Sequence, residues 1–353
     1  MIDPAPIIDS LKPDWRLLCP PLAAEWRHYS RAKLRADAFA AATVAMVSIP
    51  QAMGFALLAG LPPQMVLGCV IVGGLVAALF FSSRQAIFGP SNSLSLLLAA
   101  TFIGLQGSAL GPAELAVLLA LLIGLVQLAA GIMRFGQVTQ FISRSVVIGY
   151  SAAIGVLLVF SQVHHLLGVE RAATTSLWSA PFDALRHALR GELDPWSTGV
   201  ATGAFLLFML IKRLRPRWPE ALLGLVIFAV IDWAVDLTQF GVANLGQGNA
   251  IKASLPNFTS VPLTAREAGV ILDLLVPAMA IALLGMLEAV SISKSYSMRS
   301  GEPVDTNREL VAMGLGNIVS AFFASMPGST SFARSAANFQ AGARTQMSGV
   351  LSS

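Results

Sequence analysis

"SMPGSTSFARSAANFQ", residues 325–340, places a permanently charged guanidinium, that of Arg334, shortly after a long apolar segment. A charge at membrane depth is costly unless something compensates it, so intramembrane charges usually have a function. Within the same stretch a proline and a glycine interrupt the apolar run and are followed by hydroxyl residues. Such an interruption predicts a helix that begins in the middle of the bilayer rather than at its surface.

The composition of the whole chain predicts an all-α polytopic membrane protein. Its 353 residues are 55% hydrophobic and 12% charged, whereas soluble domains are about a quarter charged. A spanning helix needs about 20 apolar residues, and ten candidate segments are found. They are 37–58, 66–82, 91–105, 112–133, 142–167, 197–211, 219–238, 268–292, 308–325 and 331–345. The third and tenth are short, so we expect half-helices there, with short strands allowed before residues 91 and 331.

The placement of charge predicts the orientation in the membrane. With a cytoplasmic N-terminal arm at 1–35, most of the 23 lysines and arginines fall on the inner side, as insertion topology favours. This explains the basic residues without a nucleic-acid partner. The first thirty residues lack an apolar core, so no signal peptide is expected. Cys19 and Cys69 have neither a disulfide nor a metal-ligand spacing. The prediction is a multi-pass protein of the cell (inner) membrane.

Two interrupted segments suggest an inverted repeat. "GPSNSLSLLL" (89–98) and "MPGSTSFARSAA" (326–337) follow an apolar helix in each half of the chain. Seven helices precede residue 268, so a second repeat must be inverted. We assign 36–238 to the first repeat, 239–265 to an extracellular or periplasmic connection and 266–353 to a partial second repeat. Paired interruptions of this kind indicate a transporter's midplane site, although chance resemblance is the alternative.

The two half-helices predict an anion pocket. A helix that starts inside the membrane has unpaired N–H groups and about half a positive charge at its first turn, and it attracts anions. Two such ends would face each other. The candidate lining residues are Ser91, Asn92, Ser93, Ser329, Thr330, Ser331 and Ser335. The guanidinium of Arg334 adds parallel N–H donors whose geometry suits oxyanions. The alternatives are that backbone carbonyls satisfy the guanidinium or that it reaches a membrane interface.

Glu288, in "LLGMLEAVSISKS" (283–295), is the second intramembrane charge. Burial opposes its ionisation and a nearby arginine favours it. It could therefore exchange a proton or offer oxygens to Na⁺, while a static ion pair with Arg334 or Lys294 is the alternative. Gln51 and Phe55 follow Pro50, where a kink could turn them toward the pocket.

Other polar and small residues have simpler interpretations. Asp37 opens the first candidate helix. Asn317, with Gly314 and Gly316, is interpreted as a helix-packing element. Ordinary packing is also an alternative for Gln51 and Phe55.

Five motifs in the same order resemble one family of transporters. They are "IPQAMGFALLAGLPP" (49–63), "SSRQAIFGPSNSLSLL" (82–97), "FSQVHHLLG" (160–168), "LLGMLEAVSISKSYS" (283–297) and "STSFARSAANFQAGARTQMSG" (329–349). The chain resembles, over about residues 34 to 350, the SulP anion transporters, the sulfate permease family that includes pendrin and prestin. The resemblance implies a uracil-permease-like fold of seven plus seven helices in inverted repeats. It also implies a core domain of helices 1–4 and 8–10, a gate domain containing helices 5–7, and elevator-type alternating access.

The resemblance also implies site residues. The family's anion site falls on Gln51 and Phe55, on the segment starting at Ser91 and Asn92, and on Ala333 and Arg334. Several members have a serine where this chain has Ala333, so one hydroxyl contact is missing.

The resemblance also bears on cation coupling and on how much of the family's length the chain covers. Members with an acid at the position of Glu288 resemble cation-coupled symporters. Relative to the family, the chain ends at Ser353, before about four further helices and the soluble STAS domain. It would then be a truncated product or one completed by a partner.

The expected function is secondary-active transport of a small inorganic or organic anion, such as sulfate, bicarbonate, chloride or a dicarboxylate. Glu288 would couple it to H⁺ or Na⁺ in symport; no other cofactor is expected, and a homodimer is allowed. The alternatives are an uncoupled exchanger or channel and a non-transporting assembly partner. A nucleobase carrier of the same fold is disfavoured by Arg334. A membrane-embedded enzyme is disfavoured because H-E-x-x-H and a histidine near a mid-membrane serine are lacking.

Overall fold

The computed structural model describes residues 14–20, 29–105, 108, 110–136, 149, 152–153, 156, 159–160, 163, 166–169, 180–191, 193–214, 220–242, 256–262 and 268–353. The predicted helix at 142–167 lies mostly outside the described residues, and the connection at 239–265 lies partly outside them.

The described part of the chain is helical with one short ribbon of strands. Its helices are α1 (Arg31–Leu58), α2 (Met65–Phe80), α3 (Asn92–Gly104), α4 (Pro112–Ile132), α5 (Ala180–Leu189), α6 (Pro195–Leu214), α7 (Glu220–Val235), α8 (Ala268–Ser300), α9 (Thr306–Ala321), α10 (Phe332–Gln340) and α11 (Met347–Ser352). The strands are β1 (Phe88–Gly89) and β2 (Ser329–Thr330), and single 3-10 turns cover Trp15–Leu18 and Leu237–Phe240. Among the described residues, α1, α4, α6 and α8 are long and apolar enough to cross a membrane. The predicted all-α fold class is confirmed.

Helix ends differ from the predicted segments where polar residues or glycines decide them. α8 continues to Ser300, beyond the predicted end at 292, because its polar last turns still form a helix that stops at Gly301, φ 73°. α10 stops at Gln340 instead of 345 because Gly342 adopts φ 86°. There the N–H of Ala343 donates to the carbonyl of Asn338 at 3.1 Å, the pattern of a Schellman ending. Hydropathy alone does not report these endings.

Local sequence explains where the helices start. Ser30 caps α1 by accepting from the N–H of Lys33 at 3.3 Å. Pro112 occupies the first turn of α4, where its missing N–H costs nothing. Asp305 caps α9 by accepting from the N–H of Asn307 at 2.9 Å. A polar cap thus fixes the starts of α1 and α9, and a proline marks the start of α4.

The chain divides into two compact units. The first comprises residues 1–142 and 252–353, and the second comprises 143–251. In the first unit α4 packs closely against α9: a Cβ at Gly124 would lie 2.8 Å from the carbonyl of Gly314, and one at Gly314 would lie 2.5 Å from the backbone of Leu128. Small residues permit this approach, as is usual between membrane helices. In the second unit α6 packs against α7.

The ribbon lies within the first unit and joins the two halves of the sequence. β1 and β2 are antiparallel, with Phe88 opposite Thr330 and Gly89 opposite Ser329. Each strand leads directly into a short helix, β1 into α3 and β2 into α10. Because the strands run in opposite directions, α3 and α10 leave the ribbon in opposite directions. Their N-termini therefore lie at the ribbon, as the two interrupted segments predict.

Candidate functional site

The start of α10 is hydrogen-bonded directly to Ile87, the residue before β1. The N–H of Ser331 donates to the carbonyl of Ile87 at 2.9 Å. The N–H of Ile87 donates to Oγ of Ser335 at 3.1 Å. These bonds continue the contact between β1 and β2 into the first turn of α10. The structure thus brings together the two predicted groups of pocket residues, 91–93 and 329–335.

A serine caps each of the two helices. Oγ of Ser91 accepts from the N–H of Leu94 at 3.4 Å, and Oγ of Ser331 accepts from the N–H of Arg334 at 3.5 Å. Each cap satisfies one first-turn N–H and fixes the start of its helix. The hydroxyl of Ser91 also donates to Oε2 of Glu288 at 3.1 Å. Ser91 therefore links the start of α3 to the buried carboxylate of α8.

Arg334 is buried, with 1% of its surface exposed. Its Nη2 donates to the carbonyl of Pro90 at 2.5 Å. Its Nε and Nη1 have no hydrogen-bond partner among the described residues. A backbone carbonyl therefore satisfies one of the guanidinium nitrogens and leaves two. Buried polar atoms are nearly always paired, so these two nitrogens are donors that can still bind an acceptor.

Gly89 makes room for the guanidinium. A Cβ at this position would lie 2.2 Å from Nη1 and 2.8 Å from Cζ of Arg334. Gly89 also has φ 151°, a conformation that only glycine adopts readily. Both the space and the backbone angle thus require glycine here. In the sequence, the only signal for Gly89 is the Gly-Pro pair before the half-helix.

Gln51 and Phe55 of α1 lie on a helix that packs against both α3 and α10. Phe55 is buried and Gln51 is half-buried. Oε1 of Gln51 and Oδ1 of Asn92, which is itself buried, have no hydrogen-bond partner among the described residues. Unpartnered buried atoms therefore occur on α1, α3 and α10, the three helices of this region. Other unpartnered buried atoms of the described residues, among them Nε2 of Gln127 and Oε1 of Gln346, lie outside the predicted pocket.

Besides the two caps, three further predicted hydroxyls have partners within the protein. Ser329 donates to the carbonyl of Gly285 at 3.3 Å, and Oγ1 of Thr330 contacts Sδ of Met313 at 3.6 Å. Oγ of Ser335 accepts from the N–H of Ile87, as described above. Ser93 is half-buried, and Ala333 is exposed although the next residue is buried. The hydroxyls of Ser329, Thr330 and Ser335 thus hold the ribbon and helix together, a role that the sequence analysis did not assign to them.

Two buried carboxylates fix the loops beside the ribbon. Asp37 accepts hydrogen bonds from the N–H groups of Arg344 and Thr345 at 2.7 and 3.1 Å, and from the hydroxyl of Thr345 at 2.6 Å. Glu309 accepts from both N–H groups of 82–83, each at 2.9 Å. Both acids are fully buried. The sequence marks them only as charges near helix starts, because their partners lie far away in the chain.

Comparisons with known proteins place the chain in a family. Residues 34–353 match the model of the sulfate permease family. A probable sulfate transporter of Mycobacterium tuberculosis is 32% identical over 331 residues, which cover 93% of this chain and 57% of that protein. The chloroplastic sulfate transporter 4.1 of Arabidopsis thaliana is 30% identical over 353 residues, covering 98% and 49%. The chain thus spans about half the length of the curated relatives it matches.

Solved structures show the same fold. The transmembrane domain of the cyanobacterial bicarbonate transporter BicA superposes with a TM-score of 0.71 at 24% identity, over 92% of this chain and 81% of that one. The murine solute carrier 26 family member A9, an anion transporter in the inward-facing state, superposes with a TM-score of 0.74 at 19% identity, over 95% and 57%. These similarities confirm the predicted uracil-permease-like inverted repeat. With the family match over nearly the whole chain, they show that the protein belongs to the sulfate permease family of multi-pass membrane transporters.

Proposed function

We propose that the protein is a secondary-active transporter of small oxyanions or halides, with sulfate, bicarbonate, chloride and dicarboxylates as the candidate class. The anion binds between the N-termini of α3 and α10, against the guanidinium of Arg334. The observation that carries this proposal is the buried Arg334, whose Nε and Nη1 have no hydrogen-bond partner among the described residues. Relatives named as sulfate transporters support the class of solute.

The electrostatics of the ribbon favour an anion in particular. A full positive charge and two helix N-termini act on the same small region, and each of the three favours negative charge. Because the region is buried, little solvent screens them. An anion would accept from Nε and Nη1 and so complete the guanidinium's hydrogen bonds. The uncharged Gln51 and Asn92 would orient the anion through their amide N–H groups, which donate hydrogen bonds without cancelling the positive field.

Glu288 provides the coupling in this proposal. It is 3% exposed and accepts a hydrogen bond from Ser91, the cap of α3. A proton or Na⁺ on Glu288 would remove its negative charge from the neighbourhood of the anion. Loading of the cation and of the anion would then favour each other, which is the thermodynamic requirement for symport. We further propose that the two compact units move as core and gate in an elevator-type cycle, in a cell membrane with the N-terminus cytoplasmic.

Uptake into proteoliposomes tests this function. The purified chain would be reconstituted and given labelled sulfate, bicarbonate, chloride and succinate, with and without a pH or Na⁺ gradient. We expect uptake of at least one anion, and its complete loss in Arg334→Ala. Arg334→Lys, which keeps the charge but not the fork, should bind about tenfold more weakly. Arg344→Ala is the matched control, because its side chain is exposed beyond α10; normal uptake by Arg334→Ala would refute the assigned site.

A further inference from the structure

A buried pair of amides lies beside the ribbon, at the point where the chain enters β2. Nδ2 of Asn317, on α9, donates to the carbonyl of Gly328 at 2.9 Å. Oδ1 of the same side chain accepts from the N–H of Gly328 at 2.7 Å. One side chain thus bonds both main-chain groups of one residue, as a paired residue of a neighbouring strand does. Asn317 holds Gly328 in place from the side of α9.

Gln127 of α4 supports this amide from behind. Its Oε1 accepts from Nδ2 of Asn317 at 2.9 Å, while its Nε2 has no hydrogen-bond partner among the described residues. The main-chain groups of Gly328 fix Nδ2 on the side shared with its carbonyl, and Gln127 adds a second acceptor for that Nδ2. Both amides are fully buried. The next residue, Ser329, donates to the carbonyl of Gly285 on α8. Three helices, α4, α8 and α9, therefore determine the position of two consecutive residues.

Gly328 is also confined on its other side. A Cβ there would lie 2.6 Å from Cζ of Phe88 and 2.7 Å from Sγ of Cys69. Phe88 belongs to β1 and pairs with Thr330 of β2. The peptide at 328 thus lies between the amides and β1 without free space. A displacement of Gly328 must be passed on to the residues that follow it.

The residues that follow Gly328 connect it to Arg334 through a short, extended segment. Two strand residues separate Gly328 from Ser331, the cap of α10. An extended strand transmits about 3.3 Å per residue and cannot shorten without breaking its pairing. Arg334 lies in the first turn of α10 and donates to Pro90 of the opposite segment. The position of Gly328 therefore sets where the guanidinium stands relative to α3.

We propose that Asn317, supported by Gln127, is a positioning residue of the anion site. It holds the tip of the second half-helix at the distance from α3 at which Arg334 can serve both Pro90 and the anion. This inference rests on the proposed function, since it assumes that Arg334 binds the anion. It extends the interpretation of Asn317 as a helix-packing residue: the amide acts on the site through the backbone of Gly328 and does not touch the anion.

Asn317→Asp tests the proposal, because it has nearly the same shape. It keeps an oxygen for the N–H of Gly328 but removes the donor to its carbonyl. Binding of labelled sulfate, bicarbonate, chloride and succinate would be measured in detergent, and transport in proteoliposomes. For the anion that the unmodified protein binds most tightly, we expect the Kd to rise about tenfold. The turnover at saturating anion should stay within about twofold, as for a residue that affects binding alone.

Two further variants separate positioning from folding. Gln127→Met removes the second acceptor of Nδ2 of Asn317, together with an Nε2 that has no partner among the described residues, and leaves both bonds of Asn317 to Gly328, so its Kd should rise only about threefold. Asn307→Asp is the matched control on α9: it is 8% exposed and lies beside Gly136, and its Kd should equal that of the unmodified protein. Melting temperatures of all variants would be recorded. The graded order of the Kd values is a result that general destabilisation would not give.

Three results would overturn the inference. The first is an unchanged Kd in Asn317→Asp. The second is a loss of turnover with an unchanged Kd. The third is failure of both Asn317→Asp and Gln127→Met to fold, which would assign the amides to folding alone. If the unmodified protein binds none of the four anions, the proposed function fails as well. If the unmodified protein binds an anion and Asn317→Asp binds it with the same Kd, only the positioning role is refuted.

Discussion

Nη2 of Arg334 donates a hydrogen bond to the carbonyl of Pro90 at 2.5 Å, although the two residues lie in opposite halves of the chain. Pro90 interrupts the first half, and Arg334 lies in the first turn of the helix that follows the interruption of the second. The bond therefore joins the two breaks directly. It also orients the guanidinium so that Nε and Nη1 are left for another acceptor. This relationship determines where the anion is proposed to bind.

Gly89→Ala should prevent anion binding by displacing the guanidinium. The new Cβ would stand 2.2 Å from Nη1 of Arg334, so the side chain must leave its bond with Pro90. We expect the Kd for the transported anion to rise at least about tenfold, the equivalent of one lost charge-assisted hydrogen bond. Equilibrium binding of the labelled anion measures it.

Gly342→Ala is the control for backbone strain in this experiment. Gly342 also has a positive φ, but a Cβ there would meet nothing within 4 Å. It should cost about 1 kcal/mol of stability and leave the Kd unchanged. Equal effects of the two substitutions on binding would show that strain, and not the position of the guanidinium, is responsible.

Glu288→Gln should uncouple transport without abolishing anion binding. The amide keeps an oxygen for the hydroxyl of Ser91 but can neither take up a proton nor attract Na⁺ strongly. We expect loss of gradient-driven accumulation and retention of anion exchange in proteoliposomes. Glu114→Gln, at the exposed start of α4, serves as the control. Continued accumulation by Glu288→Gln would place the coupling on another residue.

Asp37→Ala should destabilise the protein strongly. It removes the acceptor of two backbone N–H groups and one hydroxyl at residues 344–345, and these buried donors would then lack a partner. We expect a loss of about 3 kcal/mol in the free energy of unfolding, visible as a lower melting temperature in detergent. Asp273→Ala, on an exposed position of α8, should change the stability by less than about 0.5 kcal/mol. Similar melting temperatures for the two variants would contradict the role given to Asp37.

The attachment of residues 14–18 to the end of α4 should weaken in acid. Arg134 donates to the carboxylate of Asp14 at 2.7 Å. This bond, with that from the N–H of Arg16, holds the pKa of Asp14 below its ordinary value of 3.8. The stabilisation is therefore complete above that value and is lost as the pH falls through the lowered pKa. In hydrogen exchange, the protection factors of residues 15–18, which correct for the intrinsic pH dependence of exchange, should be constant from neutral pH to about pH 5 and fall below about pH 4.

Arg134→Gln provides the comparison for the acid experiment. Without the guanidinium, Asp14 loses the larger cause of its lowered pKa. The protection factors of residues 15–18 should then be lower at neutral pH and change less in acid. A pH profile identical to that of the unmodified protein would show that the ion pair does not hold this segment.

The sequence alone determined the helical membrane architecture and the two interruptions. Apolar length, Pro, Gly and the hydroxyl caps are local properties, so the segments at 91 and 331 and the charge at Arg334 could be recognised without the fold. The family resemblance was visible for the same reason, since its motifs are contiguous. The sequence did not show that the protein itself bonds the hydroxyls of Ser329, Thr330 and Ser335, because their partners lie far away in the chain.

Only the tertiary structure decided which residues meet. The space that Gly89 leaves for Arg334, the amide of Asn317 on Gly328 and the carboxylate of Asp37 on Thr345 each join residues from different helices. The last of these joins residues from opposite ends of the chain. The reason is physical: hydropathy and helix signals act over one or two turns, whereas hydrogen bonds and van der Waals contacts depend on distances in space that only the packed helices set.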